Sequence, residues 1–182
     1  MARAIDVARY ILEHRNARDH MTTAFALQKL LYYCQSWMLV AKGVTLFPDD
    51  IRAWQHGPVV VSVYPYCRGR HYVFPREIPE GHADALSLDE RAVVDRILAM
   101  YDDSDDGSLG DGLERTSHRE RPWADANPNG IITPDSMLDF YSQVQADPDS
   151  DHAAPVPDLA NVADRTFVSG EEADWLSSMI SD

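Results

Sequence analysis

The sequence predicts an α+β fold that is mostly α: a compact helical domain with a small β-hairpin or sheet, followed by an acidic C-terminal tail ending in an amphipathic helix. Three observations predict it. Apolar residues recur at helical spacing over several long segments. One short stretch, Ile51, Ala53 and Trp54, alternates as a half-buried strand does. Past Gln145 the apolar pattern gives way to Asp and Pro, which divides the chain into a domain over residues 1–145 and a tail over 146–182. With 182 residues, 45% of them apolar and 25% charged, the chain can bury one core and is not disordered throughout.

The elements follow in order. Ile5, Ala8 and Leu12 share one face of a short amphipathic helix, with Arg9 and Glu13 turned away. Thr22 or Thr23 caps a long second helix whose stripe is Leu27, Leu30, Leu31, Cys34, Trp37, Met38 and Ala41, and Gly43 stops it. This helix should be the spine of the core. After the strand, Gly57-Pro58 should re-aim the chain toward a short helix capped by Ser62, which tolerates Pro65 in its first turn and ends at Gly69. Residues 70–86 read as a loop. Ser87 and Glu90 form a capping box ahead of Val93, Val94, Ile97, Leu98 and Tyr101, and four aspartates between 102 and 106 close that helix with a solvated acidic turn. A further helix runs from Ser108 toward His118, weakened by Gly110 and Gly112. Thr133 and Pro134 then open a last core helix carrying Met137, Leu138, Tyr141 and Val144. The tail reads as flexible up to Ser169 and Glu172, a second capping box before Trp175, Leu176, Met179 and Ile180. That terminal stripe is either a docking peptide or a last core helix.

Charge and cysteine usage narrow the function. A net charge of −14 opposes binding to nucleic acid by the chain alone and to anionic membranes, and it suits a basic partner. The two cysteines, Cys34 and Cys67, are far apart in sequence, and Arg3, Asp6 and Arg9 interrupt the N-terminal apolar residues. A cytoplasmic protein, neither exported nor inserted in a membrane, is the expectation.

A catalytic search yields little. His56 and His118 do not stand at metal-ligand spacing from another His or Cys. Cys34 falls on the apolar stripe of the long helix, where a thiol is buried and inert. There is no phosphate loop, nucleophile elbow or calcium-loop pattern. No catalytic residue, metal or cofactor is therefore assigned. A hydrolase built on His56, His118 and nearby carboxylates stays as a separate reading, one that predicts bound metal or lost turnover on His118→Ala.

Three distinctive motifs remain: Leu27-Gln28-Lys29-Leu30-Leu31-Tyr32-Tyr33, Ala53-Trp54-Gln55-His56-Gly57-Pro58-Val59, and His118-Arg119-Glu120-Arg121-Pro122-Trp123. In this order and spacing the chain resembles the Panacea-domain antitoxins, also called SocA-like or GepA-like proteins, over about Ile5 to Val144. Ser117 stands where similar proteins often have Thr, and Pro65 is displaced from the more usual proline just after Gly-Pro-Val. The resemblance implies an antitoxin that neutralises a protein toxin, encoded beside it, by direct binding. It implies as an alternative an adaptor that delivers the bound toxin to an ATP-dependent protease.

Within the motifs, Leu27, Gln28, Lys29, Leu30, Gly57, Pro58, Val59, His118, Pro122 and Trp123 are assigned to the framework, with Gln28 and His118 placed to satisfy backbone groups at turns. Trp54 and Trp123 each admit two roles, a buried anchor or an interface hot spot. Tyr32, Tyr33, Tyr64 and Tyr66 are expected to be exposed, and with Trp54, His56 and Trp175 they make up the candidate toxin-binding set.

Overall fold

The computed structural model describes residues 1–101, 113, 117–148 and 156–162. Helix α1 (Ala4–Asn16) buries Ala4, Val7, Ala8, Ile11 and Leu12 on one face and packs against the helix that follows it, α2 (Ala24–Lys42). In α2, Thr23 Oγ1 accepts from the Ala26 amide at 3.1 Å, and Gly43, at φ +72°, closes the C-terminus in the left-handed region. Every residue from Ala26 to Ala41 is buried. The helix is sheathed on all sides, so its polar residues must find partners inside the protein.

Strands β1 (Ile51–Trp54) and β2 (Gly57–Val60) pair antiparallel, Ile51 opposite Val60 and Trp54 opposite Gly57, around the two-residue turn Gln55-His56. Gly57-Pro58 therefore opens a second strand instead of turning strand into helix. Pro58 sits opposite Ala53, whose N–H and C=O point outward to Gly130 O at 2.9 Å and Asn129 N at 2.8 Å. The missing proline N–H thus removes no bond from the β1–β2 ladder. The segment 129–132 covers the free edge of β1, with Ile132 N donating to Ile51 O at 2.8 Å.

Helix α3 (Tyr64–Cys67) carries Pro65 in its first turn and is followed by Gly69 at φ +75°. Val63, and not Ser62, occupies its N-cap, with no side-chain cap. The expected loop contains two short 3-10 turns, Pro75–Glu77 and Ala83–Ala85. Helix α4 (Leu88–Tyr101) starts with the expected capping box: Glu90 N donates to Ser87 Oγ at 3.2 Å and Ser87 N to Glu90 Oε2 at 2.8 Å. Helix α5 (Arg121–Ala124) is a single turn, and α6 (Pro134–Ala146) is capped by Thr133, whose hydroxyl accepts from Ser136 N at 3.2 Å.

α4, α6, α1 and β2 all pack on α2, so the mostly helical α+β architecture is one shell of elements around one helix. Leu159, 4% exposed, joins that core together with partly buried Val156 and Val162, so part of the Asp/Pro-rich tail lies on the domain instead of standing free of it. Most of the Ser108–His118 helix, the acidic turn after Tyr101 and the terminal stripe with Trp175 lie outside the described residues. Among the described residues no helix is long and apolar enough to cross a membrane.

Candidate functional site

Helix α2 carries the hairpin on three buried polar side chains. Gln35 Oε1 accepts from Leu46 N at 2.8 Å and Phe47 N at 3.2 Å, and its Nε2 donates to Phe47 O at 3.0 Å, just ahead of β1. Two turns earlier, Gln28 Oε1 accepts from Val60 N at 2.7 Å at the end of β2. Between these anchors the Lys29 ammonium, 1% exposed, donates to the carbonyls of His56 and, at 3.1 Å, Pro58. Two glutamines and a lysine on one helix therefore fix the entry, turn and exit of the β-unit.

The third motif closes the same seam. Trp123 Nε1 donates to Trp54 O at 3.0 Å, and the His118 ring stacks on Trp123 with centroids 4.3 Å apart. Glu120, 1% exposed, accepts from Tyr33 Oη at 2.9 Å and Tyr141 Oη at 2.6 Å, and the Tyr32 ring packs beside both, its centroid 5.3 Å from that of Tyr33 and 6.1 Å from that of Tyr141. Burial pushes the Glu120 carboxyl up to about 7, while the three phenols and the Lys29 ammonium favour its charged form. Burial also holds those phenols well above their ordinary range, so they remain donors. Gly57 explains its own presence: at φ +95° it lies where a Cβ would come 2.5 Å from Lys29 Nζ and 3.0 Å from Ser117 Oγ.

Above this seam lies a cleft of about 450 Å³ between the N-terminal turn of α2, the hairpin turn and α3. Trp54 meets Tyr64 edge-to-face at 4.7 Å along it, and Phe25, 46% exposed, meets His56 in the same way at 5.9 Å. Arg68 and Arg70 stand at its rim on either side of Gly69. Of the candidate binding residues, Trp54, His56 and Tyr64 thus come together. Tyr66 does not line the cleft, and its hydroxyl donates to Glu80 at 2.9 Å. Tyr32 and Tyr33 are fully buried, which overturns their expected exposure: α2 has no solvent face, and Glu120 binds the Tyr33 hydroxyl. Trp175 lies outside the described residues.

Four residues of this region, Phe25, Arg68, Arg70 and Glu120, are not among the candidates that sequence patterns single out. Phe25 does carry a signal, since it lies off the apolar stripe of its helix. Arg68 and Arg70 look only like flanks of a helix stop, and Glu120 like a motif spacer. Among the described residues no three His, Cys, Asp or Glu side chains gather as metal ligands would. Cys34 is buried, and burial pushes its thiol far up.

The buried lysine beneath the Gly-Pro turn and the carboxylate bonded by tyrosines belong to the first and third motifs. Residues 27–124 match the family described as Antitoxin SocA-like, Panacea domain, and the chain is a member of it. The match holds all three motifs and is narrower than the Ile5–Val144 span expected from the resemblance. Among curated proteins the chain is similar to Antitoxin SocA of Caulobacter vibrioides (strain NA1000 / CB15N), 34% identical over 84 residues that make up 45% of each chain, so the likeness spans less than half of that relative. No solved structure matches.

Proposed function

We propose that the chain is an antitoxin that neutralises a protein toxin by binding it directly, with the aromatic cleft beside the hairpin as the centre of the contact face. Family membership supports the antitoxin role. One observation carries the choice of face: most residues of the family motifs build the seam, while Trp54 and His56 of the second motif, together with Phe25 and Tyr64, stay at least partly open above it. Aromatic side chains held rigidly by a framework are the usual anchors of a protein interface. No chemical step is required of the chain, and no cofactor. The partner would be encoded next to it, and the complex would be cytoplasmic.

The test is co-expression with each flanking gene product. Growth should be rescued and a complex should co-purify, and Phe25→Ala with His56→Ala should weaken capture by about tenfold or more without unfolding the protein. A folded double variant that captures and rescues like the parent would move the contact face elsewhere.

An adaptor role within the same reading has its own test. Because Leu159 is packed into the core, the truncation that tests it keeps the chain through Val162. A chain cut after Val162 that still captures toxin but no longer promotes its degradation would establish a protease-contacting tail.

A further inference from the structure

The cleft differs electrically from three other concavities of the described residues. The chain carries 30 acidic and 16 basic residues, yet the described residues lining this cleft include no carboxylate and do include Lys29, Arg68 and Arg70. Three other concavities among the described residues each have at least two carboxylates on their walls: Asp125 and Asp139, Asp49 and Asp50, or Glu13 and Asp84. Neither Arg68 nor Arg70 forms an ion pair among the described residues, although Arg70 donates to Tyr66 O at 3.2 Å. Both guanidiniums are exposed, flanking Gly69 at the rim.

We infer that the cleft takes an acidic peptide segment of the partner protein, with a large aromatic or aliphatic side chain seated between Phe25, Trp54 and Tyr64 and its carboxylates on Arg68 and Arg70. The identity of the bearer as a toxin rests on the function proposed above; the chemistry of the segment does not. Two exposed arginines beside an apolar floor match that chemistry, since guanidinium pairs carboxylate through two parallel hydrogen bonds and the aromatics supply the desolvated anchor. A single-stranded nucleic acid would also stack and pair there. It is disfavoured because the chain is at −14 overall, which opposes a polyanion that extends beyond the cleft. A peptide confines its charge to the few residues inside the rim.

The experiment uses the full chain, labelled with nitrogen-15, titrated with a synthetic peptide bearing a central Trp-Leu pair flanked by aspartates and glutamates. Amide shifts should move at Phe25, Trp54 to Gly57, Tyr64 and Tyr66 to Arg70. Affinity should fall by about tenfold or more in the Arg68→Glu, Arg70→Glu double variant, and should fall as salt rises. Unchanged far-ultraviolet circular dichroism would show that the variant is folded. A peptide with its Trp-Leu pair replaced by alanines, and one with its acids replaced by lysines, should bind at least tenfold more weakly.

The inference is overturned if the acidic peptide leaves these amides unmoved at millimolar concentration, if the double reversal leaves affinity unchanged, or if an oligothymidine moves the same amides more tightly. The outcomes separate from those of the antitoxin test. Peptide binding with no rescue by any flanking gene sinks the antitoxin reading alone. Rescue and capture that survive Arg68→Glu, Arg70→Glu, with no peptide binding, sink this inference alone.

Discussion

Glu120 keeps a carboxyl raised from the ordinary 4.5 to about 7 by burial, although Tyr33, Tyr141 and Lys29 all favour its ionised form. The sign follows from linkage. A folded-state value above the unfolded one means the native protein holds the proton more tightly, so this stabilisation is complete below about 4.5 and is lost as pH rises through about 7. A tenfold difference in proton affinity between the two states is worth about 1.4 kcal/mol. Glu90 and Asp6, held below the usual carboxylate range, act in the opposite sense, and at lower pH. We expect the melting temperature of the wild type to fall between about pH 5 and pH 8 by more than that of Glu120→Gln, which thermal denaturation at both pH values will read. Equal slopes would remove Glu120 from the titration. At Gly57, alanine must adopt a positive φ and displace Lys29, so Gly57→Ala should cost at least about 1–3 kcal/mol in urea unfolding. A near-neutral result would mean that the lysine yields freely.

At the scale of elements, the β-unit is too small to stand alone and is suspended from α2 by Gln28, Lys29 and Gln35. Lys29→Met leaves two buried carbonyls without their donor. Amide exchange should accelerate at residues 55–57, 59 and 60 while the α4 amides remain protected; uniform acceleration would show that the seam holds the whole core instead. The Ser87 cap of α4 is a local contact, so Ser87→Ala should cost about 1 kcal/mol, or roughly 2–4 °C in melting temperature for a chain of this size. Toxin capture should not change with it. The helices α2, α4 and α6 could be read from the sequence because their caps and apolar stripes are local signals. The second strand could not, since a four-residue strand with Gly and Pro at its start has no period, and only its partner Ile51–Trp54 and the Lys29 ammonium beneath the turn hold it extended.

For the whole molecule, the question is how an acidic chain presents a site. Half of its 30 acidic residues lie in 102–116 and 147–182, away from the motifs in sequence, and the cleft walls carry none. Capture through this face should therefore weaken with added salt if the partner segment is acidic and strengthen if it meets like charge. A chain ending after Gln145 loses Leu159 from the core and should be less stable than one ending after Val162 by about 2–5 kcal/mol. Equal stability of the two truncations would place Leu159 outside the cooperative core.

What the sequence determined by itself was the class of fold, the capped helices, the acidic balance and the family, because caps, periodicity, composition and motif order are properties of neighbouring residues. What only the tertiary structure decided was the side on which each motif residue faces. Tyr32 and Tyr33 follow one another on a helix and look like paired surface aromatics, but wrapping α2 on every side buries both against a carboxylate 87 residues from Tyr33. Trp54, His56 and Tyr64 meet Phe25, Arg68 and Arg70 through a turn closed by a lysine from another element. Burial and proximity of this kind depend on long-range packing, which local sequence patterns do not encode.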